Sequence, residues 1–465
     1  MYKTDTICAV ATGMGRSAIG IIRVSGPEAI QVCDGIFKGK KQIKDMESFT
    51  AAFGRIMDGD TILDEAVVLV MKAPHTYTTE DTVEIDLHGG MYVIKKVTEL
   101  LLEKGVRPAE PGEFTKRAFL GGRIDMTEAE AVMDVINAES DMALSASVNQ
   151  LTGLLRDEIR DLREKIIYNT AYIESAIDDP ENYSLEGFDN ELRDRVEEVI
   201  DRINVLLKTS DDGRIIKEGI RTAIVGRPNA GKSSILNLLL GENRAIVTDV
   251  EGTTRDTLEE YAEIDGIMLK LIDTAGIRDT DDTVEKIGVE KARSSIADAD
   301  LVLFVVDGSE KINDNDREIM RLLGEKKVVL LINKSDKEKS LDDEEIIRIF
   351  QEEMPLNDKE IIAVPISAKT GEGLNELKEK IKRLFFSEQI DYNNQVYITN
   401  ARNKESLMSA RVSLEKVIES VDAGVGEDFY TIDLMSAYEA LGEIIGEALE
   451  DDLADKIFKE FCMGK

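Results

Sequence analysis

The sequence predicts an α+β N-terminal domain, an all-α helical domain formed by two chain segments, and an α/β domain inserted between those segments. Residues 1–118 mix β-like runs with one helical stretch. Residues 119–217 and 385–465 have helical spacing, whereas residues 218–384 alternate continuous apolar runs with amphipathic stretches. A chain of 465 residues, of which 42% are apolar, is long enough to bury several cores.

The N-terminal domain is expected from three runs with strand character and one with helix character. Ile19–Val24 and Glu65–Met71 are rich in β-branched and aliphatic residues. Val83–Leu87 alternates apolar and acidic side chains, as a half-buried strand does. Residues 91–104 have helical spacing that stops at Gly105, and glycine commonly follows the last turn of a helix.

The helical domain is expected from a change of pattern near Thr127. Thr127 and Glu130 have the spacing of a capping box, and an Ala/Glu-rich stretch continues to about Ile177. Residues 178–190 contain proline and glycine and interrupt the helical spacing. The residues from Asp211 to Gly213 are interpreted as a linker to the inserted domain.

The inserted domain is expected to contain a largely parallel sheet. Continuous Val, Ile and Leu runs are typical of strands buried on both faces, and such strands belong to sheets flanked by helices. The predicted strands are Arg221–Val225, Met268–Ile272, Leu301–Val306, Val328–Ile332 and Ile361–Pro365.

The composition favours an acidic protein of the cytoplasm. With 58 basic and 93 acidic residues the net charge is −35, which argues against binding nucleic acid across a broad basic surface. A local basic site, or a partner that supplies the contacts, remains compatible with this charge. Cys8, Cys33 and Cys462 have no metal-ligand spacing, as expected in a reducing compartment. We expect no signal peptide, no membrane span and no membrane association.

The loop Gly226-Arg-Pro-Asn-Ala-Gly-Lys-Ser233 has the pattern G-x-x-x-x-G-K-S between a predicted strand and a predicted helix. In that context the backbone N–H groups surround phosphates. The Lys232 ammonium then reaches the β and γ oxygens, and the Ser233 hydroxyl ligates Mg²⁺. The alternative is a glycine-rich turn without a ligand.

Three further motifs follow predicted strands. Asp273-Thr-Ala-Gly276 offers a carboxylate near Mg²⁺ and an N–H near the γ-phosphate. In Asn333-Lys-Ser-Asp336, the Asp336 carboxylate can accept two hydrogen bonds from guanine, and adenine offers no matching pair. A backbone N–H of Ser367-Ala-Lys369 can meet the guanine carbonyl. Four motifs in this order, at the edge where α/β sheets bind ligands, predict a Ras-like P-loop GTPase domain that hydrolyses GTP.

Between the first two motifs lies Thr248-Asp-Val-Glu-Gly-Thr-Thr-Arg-Asp256, in which a threonine hydroxyl can complete the Mg²⁺ shell. The alternative is an ordinary Gly/Thr-rich turn. Ras-like enzymes place a water-orienting Gln directly after Asp-x-x-Gly, and Ile277 stands there instead. Catalysis therefore needs another base, and the acidic candidates downstream are Asp279, Asp281, Asp282 and Glu285.

The predicted GTP contacts comprise the phosphate loop, the switch segment and the base-binding loops. They are Asn229, Ala230, Gly231, Lys232, Ser233, Ser234, Thr248, Asp249, Val250, Glu251, Gly252, Thr253, Thr254, Asp273, Thr274, Ala275, Gly276, Asn333, Lys334, Asp336, Ser367, Ala368 and Lys369.

The chain resembles the MnmE (TrmE) family of tRNA modification GTPases over its whole length. The GTPase motifs alone are shared with ribosome-assembly GTPases, and motifs near the two chain ends single out this family. The motifs that carry the resemblance are the loop Gly226–Ser233, the switch Gly252-Thr-Thr-Arg-Asp256, Thr79-Glu-Asp-Thr-Val-Glu84, His88-Gly-Gly90 and Phe461-Cys-Met-Gly-Lys465.

The resemblance implies a role in modifying the wobble uridine of certain tRNAs at C5 with a carboxymethylaminomethyl or aminomethyl group. It implies a homodimer, an FAD-dependent MnmG-type partner in a heterotetramer, and tRNA bound mainly through that partner. The N-terminal domain would dimerise and hold the one-carbon donor, 5-formyl- or methylene-tetrahydrofolate. By motif position the folate contacts would be Arg23, Glu80, Arg123 and Lys465. Some relatives have Lys at the position of Arg123, so that assignment rests on charge.

The resemblance also implies a potassium ion in place of an arginine finger. Its ligands would be Asn229, Thr248, Val250 and Thr253. The Mg²⁺ ligands would be Ser233 and Thr254, and Glu285 would activate water, with Lys232 as the second catalytic residue. From the residues alone, a side-chain carbonyl of Asn229 could share a cation with the phosphates, or Asn229 could serve only the turn.

Three other residues have open interpretations. Without the resemblance, Lys465 is a solvated tail residue. Cys462 is interpreted as a buried apolar residue rather than a nucleophile. His88 is either a catalytic residue or part of a structural turn.

Two other functions remain as alternatives. The first is a GTP-switched ribosome-assembly factor, which the acidic charge and the N-terminal domain disfavour. The second is a folate-dependent one-carbon transferase in which GTP is purely regulatory.

Overall fold

The computed structural model describes residues 5–183, 185–242, 260–272, 293–324, 326–354, 361–386, 396–426, 428–447, 457, 458, 461 and 464. The chain forms two compact units. The first comprises residues 1–136, 150–200 and 406–465, and the second comprises residues 137–149 and 201–405. Among the described residues, no helix combines the length and the apolar composition that crossing a bilayer requires.

The first unit contains a seven-stranded sheet in the order β3-β4-β5-β6-β2-β1-β7. Its strands are β1 (Ile7–Val10), β2 (Ile19–Ser25), β3 (Phe37–Gly39), β4 (Thr50–Asp58), β5 (Thr61–Met71), β6 (Thr82–His88) and β7 (Arg107–Pro108). Its helices are α1 (Ala29–Ile36), α2 (Met91–Glu103) and α3 (Glu113–Leu120). The α+β prediction is confirmed. The expectation of one helix is wrong, because α1 and α3 are too short to show a clear helical period.

Alternation along the strands separates a core face from a polar face. Ile22 and Val24 of β2 and Val83 of β6 are fully buried in the core. Arg23 points to the opposite face, where it is the cross-strand neighbour of Glu84. A period of two therefore presents a charged pair on the polar face of this sheet.

The two predicted helical segments contain α4 (Met126–Ile136), α5 (Asp141–Leu151), α6 (Leu154–Asp178), α7 (Phe188–Glu218), α12 (Ala401–Asp422) and α13 (Asp428–Ile445). Helices α6 and α13 pack together. The Arg163 guanidinium lies 3.9 Å from the centre of the Tyr438 ring and donates to the Tyr438 carbonyl at 3.2 Å. Distant chain segments thus form one helical layer, as the sequence predicts.

Two local predictions in this region are wrong. The capping box of α4 is formed by Asp125 and Glu128: the Asp125 N–H donates to Glu128 at 2.8 Å, and the Glu128 N–H donates to Asp125 at 2.9 Å. This pair displaces the predicted pair of Thr127 and Glu130, because the helix begins at Met126.

The predicted linker from Asp211 to Gly213 is helical, since α7 continues to Glu218. A Cβ on Gly213 would lie 2.4 Å from the Ile398 carbonyl oxygen. The glycine is explained by this close approach of a second chain segment, and it does not break the helix.

The second unit contains a six-stranded sheet in the order β13-β12-β11-β8-β10-β9. Its strands are β8 (Ile220–Val225), β9 (Glu260–Ile264), β10 (Ile267–Ile272), β11 (Leu301–Asp307), β12 (Lys327–Asn333) and β13 (Ile362–Ile366). Its helices are α8 (Lys232–Glu242), α9 (Asp314–Leu322), α10 (Asp343–Glu353) and α11 (Leu374–Phe385). Each predicted strand is confirmed to within about one residue. Among these strands, β9 is antiparallel to its neighbour β10, and all other pairs are parallel. Every residue of β11 is buried.

Candidate functional site

The predicted nucleotide loops lie at the carboxyl edge of the parallel sheet. The phosphate loop follows β8, the loop of Asn333 follows β12, and the loop of Ser367 follows β13. Within the sheet, Asn333 pairs with Ile366 of β13 and with Asp307 of β11. This edge is where α/β sheets bind ligands, so the topology brings together motifs that are far apart in sequence.

The phosphate loop has a backbone that its residue types allow. Gly226 has φ +155° and Gly231 has φ +102°, whereas Asn229 has φ +64°, a value that Asn tolerates better than most residues. A Cβ on Gly226 would lie 2.3 Å from the Val305 carbonyl oxygen. The glycines therefore serve both the turn and the close packing of the loop.

Lys232 occupies the position expected of a phosphate-binding lysine. Its Nζ donates to the carbonyl oxygens of Gly226 and Arg227, each at 2.9 Å. Burial lowers the pKa of Lys232. Ser233 follows in the first turn of α8, where N–H groups without an intrahelical partner and the helix dipole favour an anion.

Asn333 joins two of the nucleotide loops. Its buried side-chain amide donates from Nδ2 to the Ala230 carbonyl at 2.9 Å, and its Oδ1 accepts from the Ala368 N–H at 3.1 Å. A Cβ on Gly231 would lie 2.0 Å from this Nδ2, so only glycine leaves room for the bridge. The phosphate loop and the Ser367–Lys369 loop are thus held in one arrangement by a single side chain.

The carboxylate that the sequence predicts to bind the base is also positioned. Asp336 Oδ1 accepts a hydrogen bond from the Ser367 hydroxyl at 2.8 Å, and Ser367 is fully buried. This bond fixes one carboxylate oxygen, and the carboxylate keeps further lone pairs for a ligand. Lys369, in the same loop, is exposed.

Asp307 is a residue of this region that the sequence analysis missed. It ends β11, is buried, and pairs with the Lys334 ammonium. Burial alone would raise the pKa of Asp307, but hydrogen bonds from Lys334 and Ser309 lower it overall. The acidic residue at the end of a buried strand was the available signal. Lys334 has a left-handed backbone conformation, with φ +65°, and its side chain pairs with Asp307.

The remaining nucleotide predictions lie outside the described residues. They are Thr248, Asp249, Val250, Glu251, Gly252, Thr253, Thr254, Asp273, Thr274, Ala275, Gly276 and Glu285.

The first unit brings together three of the predicted folate contacts. Arg23 and Arg123 both approach the Tyr77 ring, with guanidinium carbons 5.4 and 4.8 Å from its centre. Arg23 also pairs with Glu84 at 2.8 Å, and Arg123 donates to the Tyr77 carbonyl at 3.3 Å. An aromatic ring with two cations beside it suits a ligand with an aromatic ring and carboxylates.

Glu80 is held by an arginine that the sequence analysis did not single out. Arg117 Nη1 donates to the Glu80 carboxylate at 3.0 and 3.1 Å, and the Ser25 hydroxyl donates to it at 2.9 Å. The Arg117 side chain is only 2% exposed and also pairs with Asp5 and Glu113. The spacing of four residues between Glu113 and Arg117 in α3 was the only sequence signal.

Lys465 and Cys462 lie outside the described residues, but neighbouring residues contact the N-terminal sheet. Arg23 Nη1 donates to the Gly464 carbonyl at 3.2 Å. A Cβ on Gly464 would lie 2.4 Å from the Val10 carbonyl oxygen, and Gly464 has φ +92°. Residue 464 is therefore closely fitted against β1 and beside Arg23.

His88 ends β6 and is exposed. Its Nδ1 lies 2.7 Å from Asp64, which also accepts the His88 backbone N–H at 2.9 Å. The hydrogen bond that the Asp64 carboxylate accepts from the ring, together with the charge of Asp64, raises the pKa of His88. These two contacts with Asp64 explain the orientation of the His88 ring, and both a catalytic and a structural role for His88 are compatible with them.

The Asn333 amide links the phosphate loop to the Ser367–Lys369 loop, which is expected to lie beneath a guanine ring. The second unit is therefore a P-loop domain of the guanine-nucleotide-binding class. Comparison with known proteins agrees. Residues 126–462 match the MnmE helical domain, and residues 6–123 match the N-terminus of the GTP-binding protein TrmE.

Full-length relatives extend this match. The chain is 51% identical over 466 residues to the tRNA modification GTPase MnmE of Lachnoclostridium phytofermentans, covering 100% of both chains. It is 44% identical to the protein of that name from Clostridioides difficile, again covering 100% of both chains. The Staphylococcus epidermidis protein of that name is also 44% identical, with 99% of each chain covered. The chain therefore belongs to the MnmE family of tRNA modification GTPases and is a GTP hydrolase.

Proposed function

We propose that this chain hydrolyses GTP in a potassium-dependent reaction and takes part in adding a carboxymethylaminomethyl or aminomethyl group to the wobble uridine of certain tRNAs. The observation that carries the GTPase part is the bridge made by Asn333 between Ala230 and Ala368. It supports simultaneous binding of phosphates and of a guanine ring at one edge of the sheet.

Magnesium and potassium would supply positive charge that stabilises the transition state of phosphoryl transfer. Ser233 would hold Mg²⁺ from the first turn of α8, together with Thr254. Asn229 would offer its side-chain carbonyl to K⁺, and its exposed position in the phosphate loop fits that role. Thr248, Val250 and Thr253 complete the proposed potassium site, with Glu285 activating water.

Lys232 and Asp336 would contact the phosphates and the base, respectively. Lys232 must exchange its bonds to the Gly226 and Arg227 carbonyls for bonds to phosphate oxygens. Since burial disfavours its charge, an incoming phosphate stabilises the ammonium form. Asp336, fixed by Ser367, reads the guanine ring.

We further propose a tetrahydrofolate site on the N-terminal sheet, formed by Arg23, Glu80, Arg123 and Lys465. The Tyr77 ring beside the two arginines supports it, because an aromatic ligand can pack against the ring while its carboxylates meet the cations. Glu80, oriented by Arg117, can accept further N–H groups from a pterin.

The proposed assembly is a homodimer that joins an MnmG-type FAD protein in a heterotetramer, with tRNA bound mainly through that partner and the complex in the cytoplasm. The proposed domains are residues 1–118 for folate binding and dimerisation, 119–217 and 385–465 for the helical domain, and 218–384 for the GTPase domain. The family match favours this function over a ribosome-assembly factor. The net charge of −35 fits tRNA contacts supplied by a partner.

Mass spectrometry of wobble uridines in cells lacking this protein tests the proposal. We expect the modified nucleoside to disappear and to return on re-expression of the wild-type chain. A chain with Lys232→Ala should fail to restore it, because phosphate binding is lost. Unchanged wobble uridines in the deletion strain would rule out the tRNA role.

A further inference from the structure

A cavity of about 490 Å³ lies beside the proposed folate site in the first unit. Its charged lining consists of Arg123, Asp125, Glu128, Arg156, Arg160 and Glu447, and we call it the arginine cavity. Arg123 belongs to both places, since it lines the cavity and also lies 4.8 Å from the centre of the Tyr77 ring. A ligand on Tyr77 could therefore extend into the cavity past Arg123.

Two of the carboxylates that line the arginine cavity already have cationic partners. Glu128 accepts from Arg156 Nη1 at 2.7 Å and from the Asp125 N–H at 2.8 Å. Glu447 pairs with Arg163 of α6. These carboxylates are therefore neutralised within the protein.

Other charged side chains that line the arginine cavity lack an ion pair of this kind. Within the described part of the chain, Arg123 and Arg160 form no ion pair within 4.0 Å, although the charge of Arg160 acts on Glu128. The Oδ2 atom of Asp125 is buried and lacks a hydrogen-bond partner among the described residues. Its other oxygen accepts from the Thr127 hydroxyl and the Glu128 N–H. The cavity thus offers two guanidinium donors to an anionic ligand.

Two glycines lie next to side chains that line the cavity. Gly153 has φ +85°, and a Cβ there would lie 2.4 Å from Arg156 Nη2, so glycine lets this guanidinium fold towards Glu128. Gly446 has φ +87°, and a Cβ there would lie 2.8 Å from the Phe119 ring. Both positions favour the residue without a side chain, as expected of a shaped site.

We propose that the arginine cavity binds the poly-γ-glutamate tail of a reduced folate. This inference rests on the proposed folate site. A γ-glutamyl chain carries one carboxylate and one amide N–H per residue. The carboxylates match the guanidinium groups of Arg123 and Arg160, which line the cavity.

The test is isothermal calorimetry of the full-length protein with 5-formyltetrahydrofolate carrying one or three glutamates. We expect the triglutamate to bind about tenfold more tightly, since added carboxylates meet guanidinium groups. Raising the salt concentration from about 0.1 M to about 0.5 M should reduce this ratio, because screening weakens partly exposed ion pairs. Arg160→Ala should bring the ratio close to one, and Arg160→Lys should keep part of it.

Arg348→Ala is the matched control, because it removes an arginine from the exposed surface of α10, where its partner is Glu352. It should leave the ratio of the two affinities as in the wild type. A wild-type protein that binds both folates equally would overturn the tail site and leave the folate site standing. A protein that binds neither folate would instead contradict the proposed folate site itself.

Discussion

Replacing Asn333 with alanine should separate the two nucleotide loops that its side chain joins. The variant removes a bond of 2.9 Å to the Ala230 carbonyl and one of 3.1 Å from the Ala368 N–H. Asn333 is 2% exposed, so water cannot readily replace its amide. Both loops would then have to be ordered by the nucleotide itself.

The expected magnitude follows from those two bonds. A buried polar group left without a partner costs about 1–3 kcal/mol, and two such groups remain in Asn333→Ala. If about 2–4 kcal/mol of this loss appears in nucleotide binding, the affinity for GDP falls by about 30-fold to about 700-fold.

The assay is titration of a fluorescent GDP analogue, with circular dichroism to confirm that the variant is folded. Asn313→Ala is the matched control, since Asn313 caps α9 and lies outside the nucleotide loops. That variant should lose about 1 kcal/mol of stability and keep its GDP affinity. A folded Asn333→Ala protein that binds GDP within about twofold of the wild type would refute the bridging role.

Four other predictions address the base, the cation, the folate and the response to acid. Asp336→Asn should weaken GTP binding and improve binding of xanthosine triphosphate in competition assays; equal wild-type affinity for ATP and GTP would contradict guanine reading. Steady-state hydrolysis should be fast in KCl and slow in NaCl, because sodium fills a cage of carbonyls poorly, and Glu285→Ala should bind GTP but lose most of the rate. Identical rates in the two salts would exclude the cation mechanism. Deleting the last four residues should weaken 5-formyltetrahydrofolate binding in calorimetry, and unchanged affinity would remove Lys465 from the site. The hydrogen bond from Arg107 lowers the pKa of Asp5 from 3.8 to about 2, so its stabilising effect is present above pH 3.8 and lost as the pH falls through 2. The difference in urea-unfolding free energy between wild type and Asp5→Asn should accordingly vanish across that window, whereas a constant difference would contradict it.

The nucleotide site could be predicted because its chemistry is local in sequence. The loop around Lys232 and the loop from Asn333 to Asp336 each carry their residue types at fixed spacing, directly after a buried strand. Parallel strands bring such loops to one edge whatever the length of chain between them. The order of the motifs therefore sufficed to predict that these loops meet at one edge, whereas the bridge made by Asn333 was not predicted.

Other features could not be predicted because they depend on contacts between distant segments. Arg117 is an ordinary helical residue in sequence, and its pairing with Asp5 and Glu80 appears only in the folded sheet. Gly213 has the sequence signature of a linker, but its partner is the carbonyl of Ile398. Single-sequence patterns carry no information on such approaches.

The contact between Arg23 and Gly464 has a consequence for the order of events during synthesis. These residues are separated by 441 positions, so Arg23 is made long before the carbonyl that it will bind. Domains generally fold as units from the N-terminal side as the chain emerges. The contact can therefore form only after residue 464 has been synthesised, when the whole sheet that carries Arg23 has already been made.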